Sequence, residues 1–277
     1  MTTPNAASHT AVTPATAPPS AAAGNGRPES VKSADRTVDV LELLAATEGS
    51  RLTLSELQRR LGVPKSSLHG ILRTLVARRW VETDERGTAY GIGLRALRVG
   101  SAYLDRDPVV RAAGTVLARV RRQLDETLHL ARLDGAEVVY LASRESQHHL
   151  RVTSRIGRRL PAYATALGKA LLGARDWEDA ARLLPERMTA LTEHTVTDSE
   201  LLREEWQETR LRGWAYESEQ NTPGLVCFAV ALPGSPAIDA ISCSVPRTRI
   251  TDAHEAEIVQ ALTTAAEEIA ALASTHH

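Results

Sequence analysis

Apolar positions recur with a helical period from Ser33 to about residue 79 and again from about 94 to 128, then fall into short strand-like runs between 129 and 246. In "SADRTVDVLELLAATEGS", Val38, Leu41, Leu44 and Ala45 share one helical face, and Gly49 ends the segment. "TLSELQRRLGV" follows, with Thr53 and Glu56 at the spacing of a capping box and Gly62 as its stop. Pro64 suits the first turn of the next helix, where a missing N–H costs nothing. That helix, "PKSSLHGILRTLVARR", sets Leu68, Ile71, Leu72, Leu75 and Val76 in one stripe for burial and turns Lys65, Ser66, Ser67, His69, Gly70 and Arg73 outward. "WVETDERGTAYGIG" then predicts two short strands, Trp80–Thr83 and Ala89–Ile92, around a polar turn carrying Arg86 and Gly87. Three short helices and a hairpin predict a winged helix-turn-helix over residues 31–93.

Further along, "LRALRVGSAYLDRD" predicts a linker helix within 94–107, stopped by Pro108, and "PVVRAAGTVLARVRRQLDETL" a long helix after it. Two apolar runs around Asp134-Gly135 give a hairpin signal. "GWAYESEQ", "LVCFAVAL" and "DAISCSVP" predict more strands, and "ITDAHEAEIVQALTTAAEEIAALA" a closing amphipathic helix. Residues 108–274 therefore predict an α+β domain, an antiparallel sheet flanked by helices. Residues 1–30, built of Ala, Pro, Thr, Ser, Gly and Asn, cannot bury enough apolar surface to offset the entropy of ordering them, and a disordered tail is expected.

Charge divides the chain. Residues 31–80 carry nine Lys/Arg against five Asp/Glu and residues 81–160 carry 14 against 10, whereas residues 161–277 carry nine against 18. A basic front and an acidic back suggest different partners for the two halves. Two cysteines, Cys227 and Cys243, and no secretory signal suggest a reduced, cytoplasmic setting, and no apolar run is long enough for a membrane span.

The Gly168-Lys169 pair in "LPAYATALGKALL" invites a phosphate-loop reading, which fails. Such a loop needs glycine five residues earlier and Ser or Thr after the lysine, and here Tyr163 and Ala170 stand in those places. Thr165 instead suits the cap of a helix beginning near Ala166, whose free N–H groups favour a small anion; Lys169 is expected to be solvated or salt-bridged within that helix. No metal site is expected: His148-His149 are adjacent, neither cysteine has a partner at zinc spacing, and His276-His277 lie at the chain end. A thiol enzyme centred on Cys227 would need a base and an oxyanion donor that the sequence does not display. For the front region, the cationic, hydroxyl-rich face favours DNA over a purely protein-binding helical module.

Three stretches, "GVPKSSLHGILRTL", "LPAYATALGKALL" and "GWAYESEQNTPGLVCFAVAL…AISCSVP", occur in order between about Ser33 and Leu272. Together they resemble the IclR family of bacterial transcription regulators, which implies a winged helix, a linker helix and a GAF-like effector domain. The resemblance implies DNA contacts at Arg36, Thr53, Lys65, Ser66, Ser67, His69, Arg73 and Arg86, with no cofactor. It also implies effector contacts at Tyr163, Thr165, Ala166, Glu217, Cys227, Ser242 and Ser244. Ser242 and Ser244 alternate along one strand and so face the same way. The implied partners are double-stranded DNA with a near-palindromic operator, a small organic-acid effector, and further copies of the chain as a homodimer or dimer of dimers. Repression is expected ahead of activation. A sensor-adaptor protein without specific DNA readout remains the alternative. Two departures from the family pattern stand out: Gly70 replaces a common arginine in the recognition helix, and Glu217 replaces a common aspartate, hinting at a hydroxylated ligand.

Overall fold

The computed structural model describes residues 30–47, 49–148 and 155–275; all but the last residue of the tail expected over residues 1–30, and His149, His276 and His277, lie outside them. The chain divides into two compact units, residues 1–102 and 103–277, and the expected linker helix runs across the division.

In the first unit, α1 (Lys32–Ala46), α2 (Leu54–Leu61) and α3 (Lys65–Ala77) surround a core that includes Val40, Leu43, Leu44, Leu57, Leu68, Leu72 and Leu75. The expected buried face of α1 is corrected here: Val38 is 51% exposed and Ala45 is exposed, while Val40, Leu43 and Leu44 point inward. The capping box forms. The Thr53 hydroxyl accepts from the Glu56 amide at 3.3 Å, and the Glu56 carboxylate accepts from the Thr53 amide at 2.8 Å. Gly62 closes α2 in the left-handed region at φ 64°. Pro64 sits one place earlier than expected, as the N-cap of α3. The wing comprises β2 (Val81–Thr83) and β3 (Ala89–Ile92), and a two-residue strand, β1 (Leu52–Thr53), adds a third antiparallel member in the order β1-β3-β2. At the wing tip the Asp84 carboxylate accepts from the Thr88 and Ala89 amides at 2.6 and 2.9 Å. That turn leaves Arg86 exposed. Helix α4 (Leu94–Arg106) has no buried residue.

In the second unit, α5 (Pro108–Leu124) leads into a six-stranded antiparallel sheet of β4 (Thr127–Asp134), β5 (Glu137–Arg144), β6 (Arg159–Pro161), β7 (Ala215–Ser218), β8 (Leu225–Ala231) and β9 (Asp239–Pro246), ordered β6-β5-β4-β9-β8-β7. Helices α6 (Ala166–Gly173), α7 (Trp177–Leu183), α8 (Ser199–Arg212) and α9 (Asp252–Ser274) complete it. Strand alternation sorts side chains into two layers. Val226, Phe228, Val230, Ile241, Cys243 and Val245 meet α5 and α9, while Ala131, Tyr140, Ala229 and Ala240 share a second core with α6. On β9 this leaves Ser242 and Ser244 on the α6 side.

Candidate functional site

The cavity on the α6 side of the sheet has a volume of about 30 Å³ and is lined from β4, β5, the β5–β6 connection, α6 and strands β7 to β9. Its floor is a polar inlay in an otherwise apolar layer. Cross-strand register pairs Glu217 with Cys227 and Cys227 with Ser244, giving one row of acid, thiol and hydroxyl; His129 pairs with Ser242 in the next. Cys227 Sγ and Ser244 Oγ lie 3.3 Å apart. His129 Nδ1 is 3.1 Å from Ser143 Oγ, and the ring meets Tyr140 edge-on at 5.1 Å. Ser242 is 2% exposed, and its hydroxyl has no protein partner among the described residues.

Burial sets the proton states. It holds Glu217 above the usual carboxylate range, against the opposing pull of the Cys227 thiol, the Gln220 amide and Lys169. Burial also pushes the Cys227 thiol well up, with Glu217 adding to the effect. It pushes His129 down to about 4, helped by the Arg158 cation, so the imidazole is neutral.

The roof is cationic. Thr165 caps α6, its hydroxyl accepting from the Gly168 amide at 3.1 Å and its carbonyl from the Lys169 amide at 2.9 Å. The Ala166 and Leu167 amides, the first of the helix, have no acceptor among the described residues, and both residues line the cavity. Arg158 lines it too. Its neighbour Arg159 pairs with Asp134 and Glu137, but among the described residues Arg158 has no carboxylate partner. Gly168 explains the motif that first suggested a phosphate loop: a Cβ there would lie 2.2 Å from the Ala162 carbonyl oxygen, so α6 can seat on the preceding turn only without a side chain.

Six of the seven expected effector residues, Thr165, Ala166, Glu217, Cys227, Ser242 and Ser244, line this one cavity. Tyr163 is not among its lining residues: it packs with Leu202 and donates from its hydroxyl to the Thr189 carbonyl at 2.8 Å. Lys169 is salt-bridged but not solvated, being only 5% exposed. His129, Tyr140 and Arg158 were not singled out in the sequence. The register of His129 opposite Ser242, and the place of Tyr140 and Arg158 in the cavity lining, exist only once the sheet is assembled.

In the first unit, Lys65, Ser66, His69 and Arg73 are exposed along one side of α3, with Ser67 half-buried beside them. Arg36 on α1 is half-buried. The Thr53 hydroxyl both accepts from the Glu56 amide and donates to the Glu56 carboxylate at 2.8 Å, so it is already occupied by the cap. Among the described residues no three His, Cys, Asp or Glu side chains are grouped to hold a metal ion, and no helix is long and apolar enough to cross a membrane.

The IclR helix-turn-helix domain matches residues 33–85 and the bacterial transcriptional regulator IclR C-terminal domain matches residues 101–271. The chain belongs to the IclR family. It is 35% identical over 242 residues to the HTH-type transcriptional regulator BhcR of Paracoccus denitrificans, covering 86% of each chain. The structure matches an IclR transcriptional regulator from Alicyclobacillus acidocaldarius with a TM-score of 0.79 at 27% identity, covering 88% of this chain and 99% of that one. It also shares its fold with an IclR homologue from Microbacterium hydrocarbonoxydans crystallised with 4-hydroxybenzoate, with a TM-score of 0.73 at 24% identity and coverage of 88% and 99%. As an IclR-family member, this chain is a DNA-binding transcriptional regulator with a C-terminal effector domain.

Proposed function

We propose that the effector of this regulator is a short organic acid bound in the α6 cavity, and that its binding changes affinity for a near-palindromic operator. The observation that carries the reading is the polarity of the cavity, with Arg158 and the free amides of α6 above, and neutral or hydroxyl groups at His129, Ser242, Ser244 and Cys227 below. A carboxylate meets the cation and the amides. The unpartnered Ser242 hydroxyl, whose burial otherwise carries a desolvation cost, gains a ligand partner. The relative crystallised with 4-hydroxybenzoate carries a hydroxylated acid, the same chemical type. The raised pKa of Cys227 supports a hydrogen-bonding thiol rather than a nucleophile.

For DNA, Lys65, Ser66 and Ser67 at the start of α3 hold the phosphate backbone, His69 and Arg73 read base edges, and Arg86 at the wing tip reaches a phosphate or the minor groove. Arg36 adds a backbone contact; Thr53 acts through the cap it forms. Self-association supplies the twofold symmetry that a near-palindromic operator requires. It is supported by α4, where Leu94, Leu97 and Val99 are 64%, 66% and 54% exposed. The protein acts in the cytoplasm, where its operator lies.

The test is fluorescence anisotropy on DNA from upstream of the protein's own gene, at several salt concentrations and with and without short carboxylic acids. Wild type should bind with a steep salt dependence that reports phosphate contacts. Arg73→Ala should weaken specific binding by about 1–3 kcal/mol while leaving acid binding intact. Ser242→Ala should keep DNA affinity and blunt the response to acid. If each variant loses both activities, the two-site reading is wrong. If wild type binds its upstream DNA no better than random DNA, with or without acids, a sensor-adaptor role replaces it.

A further inference from the structure

Lys169 is one of only three lysines in the chain and is 5% exposed. Its Nζ donates to Glu205 Oε2 on α8 at 2.7 Å and to Gln220 Oε1 at 2.6 Å, and Gln220 Nε2 donates to Glu205 Oε1 at 2.7 Å. The three side chains close a triangle. Burial alone would drive the ammonium toward neutrality, and the Glu205 carboxylate opposes that.

The triangle does not end there. The Gln220 amide donates to Glu217 Oε2 at 3.0 Å, and the loop after Glu217 is pinned by Thr195, whose hydroxyl donates to the Gln220 carbonyl at 2.6 Å. Asn221 and Thr222 of that loop line the cavity. A buried cation on α6 therefore fixes the residue whose backbone orients the one carboxyl group in the cavity wall.

We propose that Lys169 is a positioning residue for effector specificity: through Gln220 it holds Glu217 where the carboxyl group meets a ligand hydroxyl, so that the cavity distinguishes a hydroxy acid from the bare acid of the same skeleton. The proposal depends on the organic-acid reading of the cavity. Lys169 itself touches no ligand; its own hydrogen bonds go to Glu205 and Gln220. A site built around a hydroxyl discriminates strongly against a ligand lacking it, because the buried group is then left unpaired.

Lactate and propionate serve as probes, titrated calorimetrically into the full-length protein. Wild type is expected to prefer lactate by at least about tenfold, the scale of one unmade buried hydrogen bond. Lys169→Met should remove most of that preference while leaving propionate affinity and operator binding within about twofold. In a Glu217→Gln background, Lys169→Met should cause no further loss, as expected when two residues act through one another. Should Lys169→Met fail to fold, Glu205→Gln opens the same triangle from its more exposed corner, where the Glu205 side chain is 28% exposed, and carries the same cycle. Equal loss of lactate and propionate binding, or additive losses in the double variant, would mark Lys169 as purely structural and overturn the proposal. Equal binding of both probes by wild type would overturn it as well. If wild type binds neither probe, nor any other short carboxylic acid, the organic-acid reading itself falls and takes this one with it.

Discussion

A methyl group at Gly168 would meet the Ala162 backbone at 2.2 to 2.5 Å, inside any real contact distance. Relief requires α6 or the turn over 162–164 to move, and both carry cavity residues. Gly168→Ala is thus expected to cost about 1–3 kcal/mol in unfolding free energy, the range for overpacked sites, and to abolish acid binding while operator binding persists. Denaturant unfolding and calorimetry on the same preparation check both parts. The sequence excluded a phosphate loop from Tyr163 and Ala170 but could not show why glycine is needed, because the obstruction is a backbone oxygen brought close by the turn. Ser242 and Ser244 were legible because strand alternation is a local rule. Tyr163 lies in the turn over 162–164 and packs with Leu202, a placement no periodicity reports.

The helices show where periodicity suffices and where it fails. Helix α3 has its core positions Leu68, Leu72 and Leu75 as the stripe predicts, since polar residues separate its two faces. In α1, apolar residues at 38, 40, 41, 43 and 44 surround most of the axis, so several phases satisfy the pattern, and packing against α2, α3 and the wing selects Val40, Leu43 and Leu44. A two-residue strand such as β1 has no periodicity to detect. Gly70 is the notable residue of α3: nothing lies within 4 Å of where its Cβ would be. Gly70→Ala should therefore stabilise the first unit by about 1 kcal/mol through helix propensity alone, measurable as a raised unfolding midpoint. Gly70→Arg should fit equally well and tighten operator binding, with a steeper salt dependence.

On the scale of the whole molecule, the basic front extends beyond the first unit: residues 103–160 of the second carry 11 Lys/Arg against seven Asp/Glu, and Arg158, which lines the cavity, is one of them. Which residues share that cavity was only partly legible, since His129 and Arg158 come from segments far from 217–244 in sequence. His129 has a global consequence. The unfolded chain protonates it near 6.5 and the folded chain only near 4, so the unfolded state binds more protons across that window. Stability should be full above pH 6.5 and fall as pH drops toward 4, by up to about 3 kcal/mol at 1.36 kcal/mol per unit. Glu217, whose pKa shifts upward, works in the opposite sense, favouring the folded state more at low pH than at high. Comparing pH-dependent unfolding of wild type with His129→Gln isolates the histidine: the variant should lose stability less steeply on acidification.

Strand β9 is buried at every position from Asp239 to Pro246. Its α6-side residues include cavity hydroxyls. On its other side, Asp239 holds Arg132 by two hydrogen bonds of 2.7 and 2.8 Å, and Arg132 in turn reaches Asp107 at the start of α5 and the Tyr103 hydroxyl at 2.6 Å. Every side chain of this strand is enclosed by the surrounding structure. Adaptation of the cavity to a new acid is therefore expected to fall outside this strand, at lining positions such as Asn221 and Thr222.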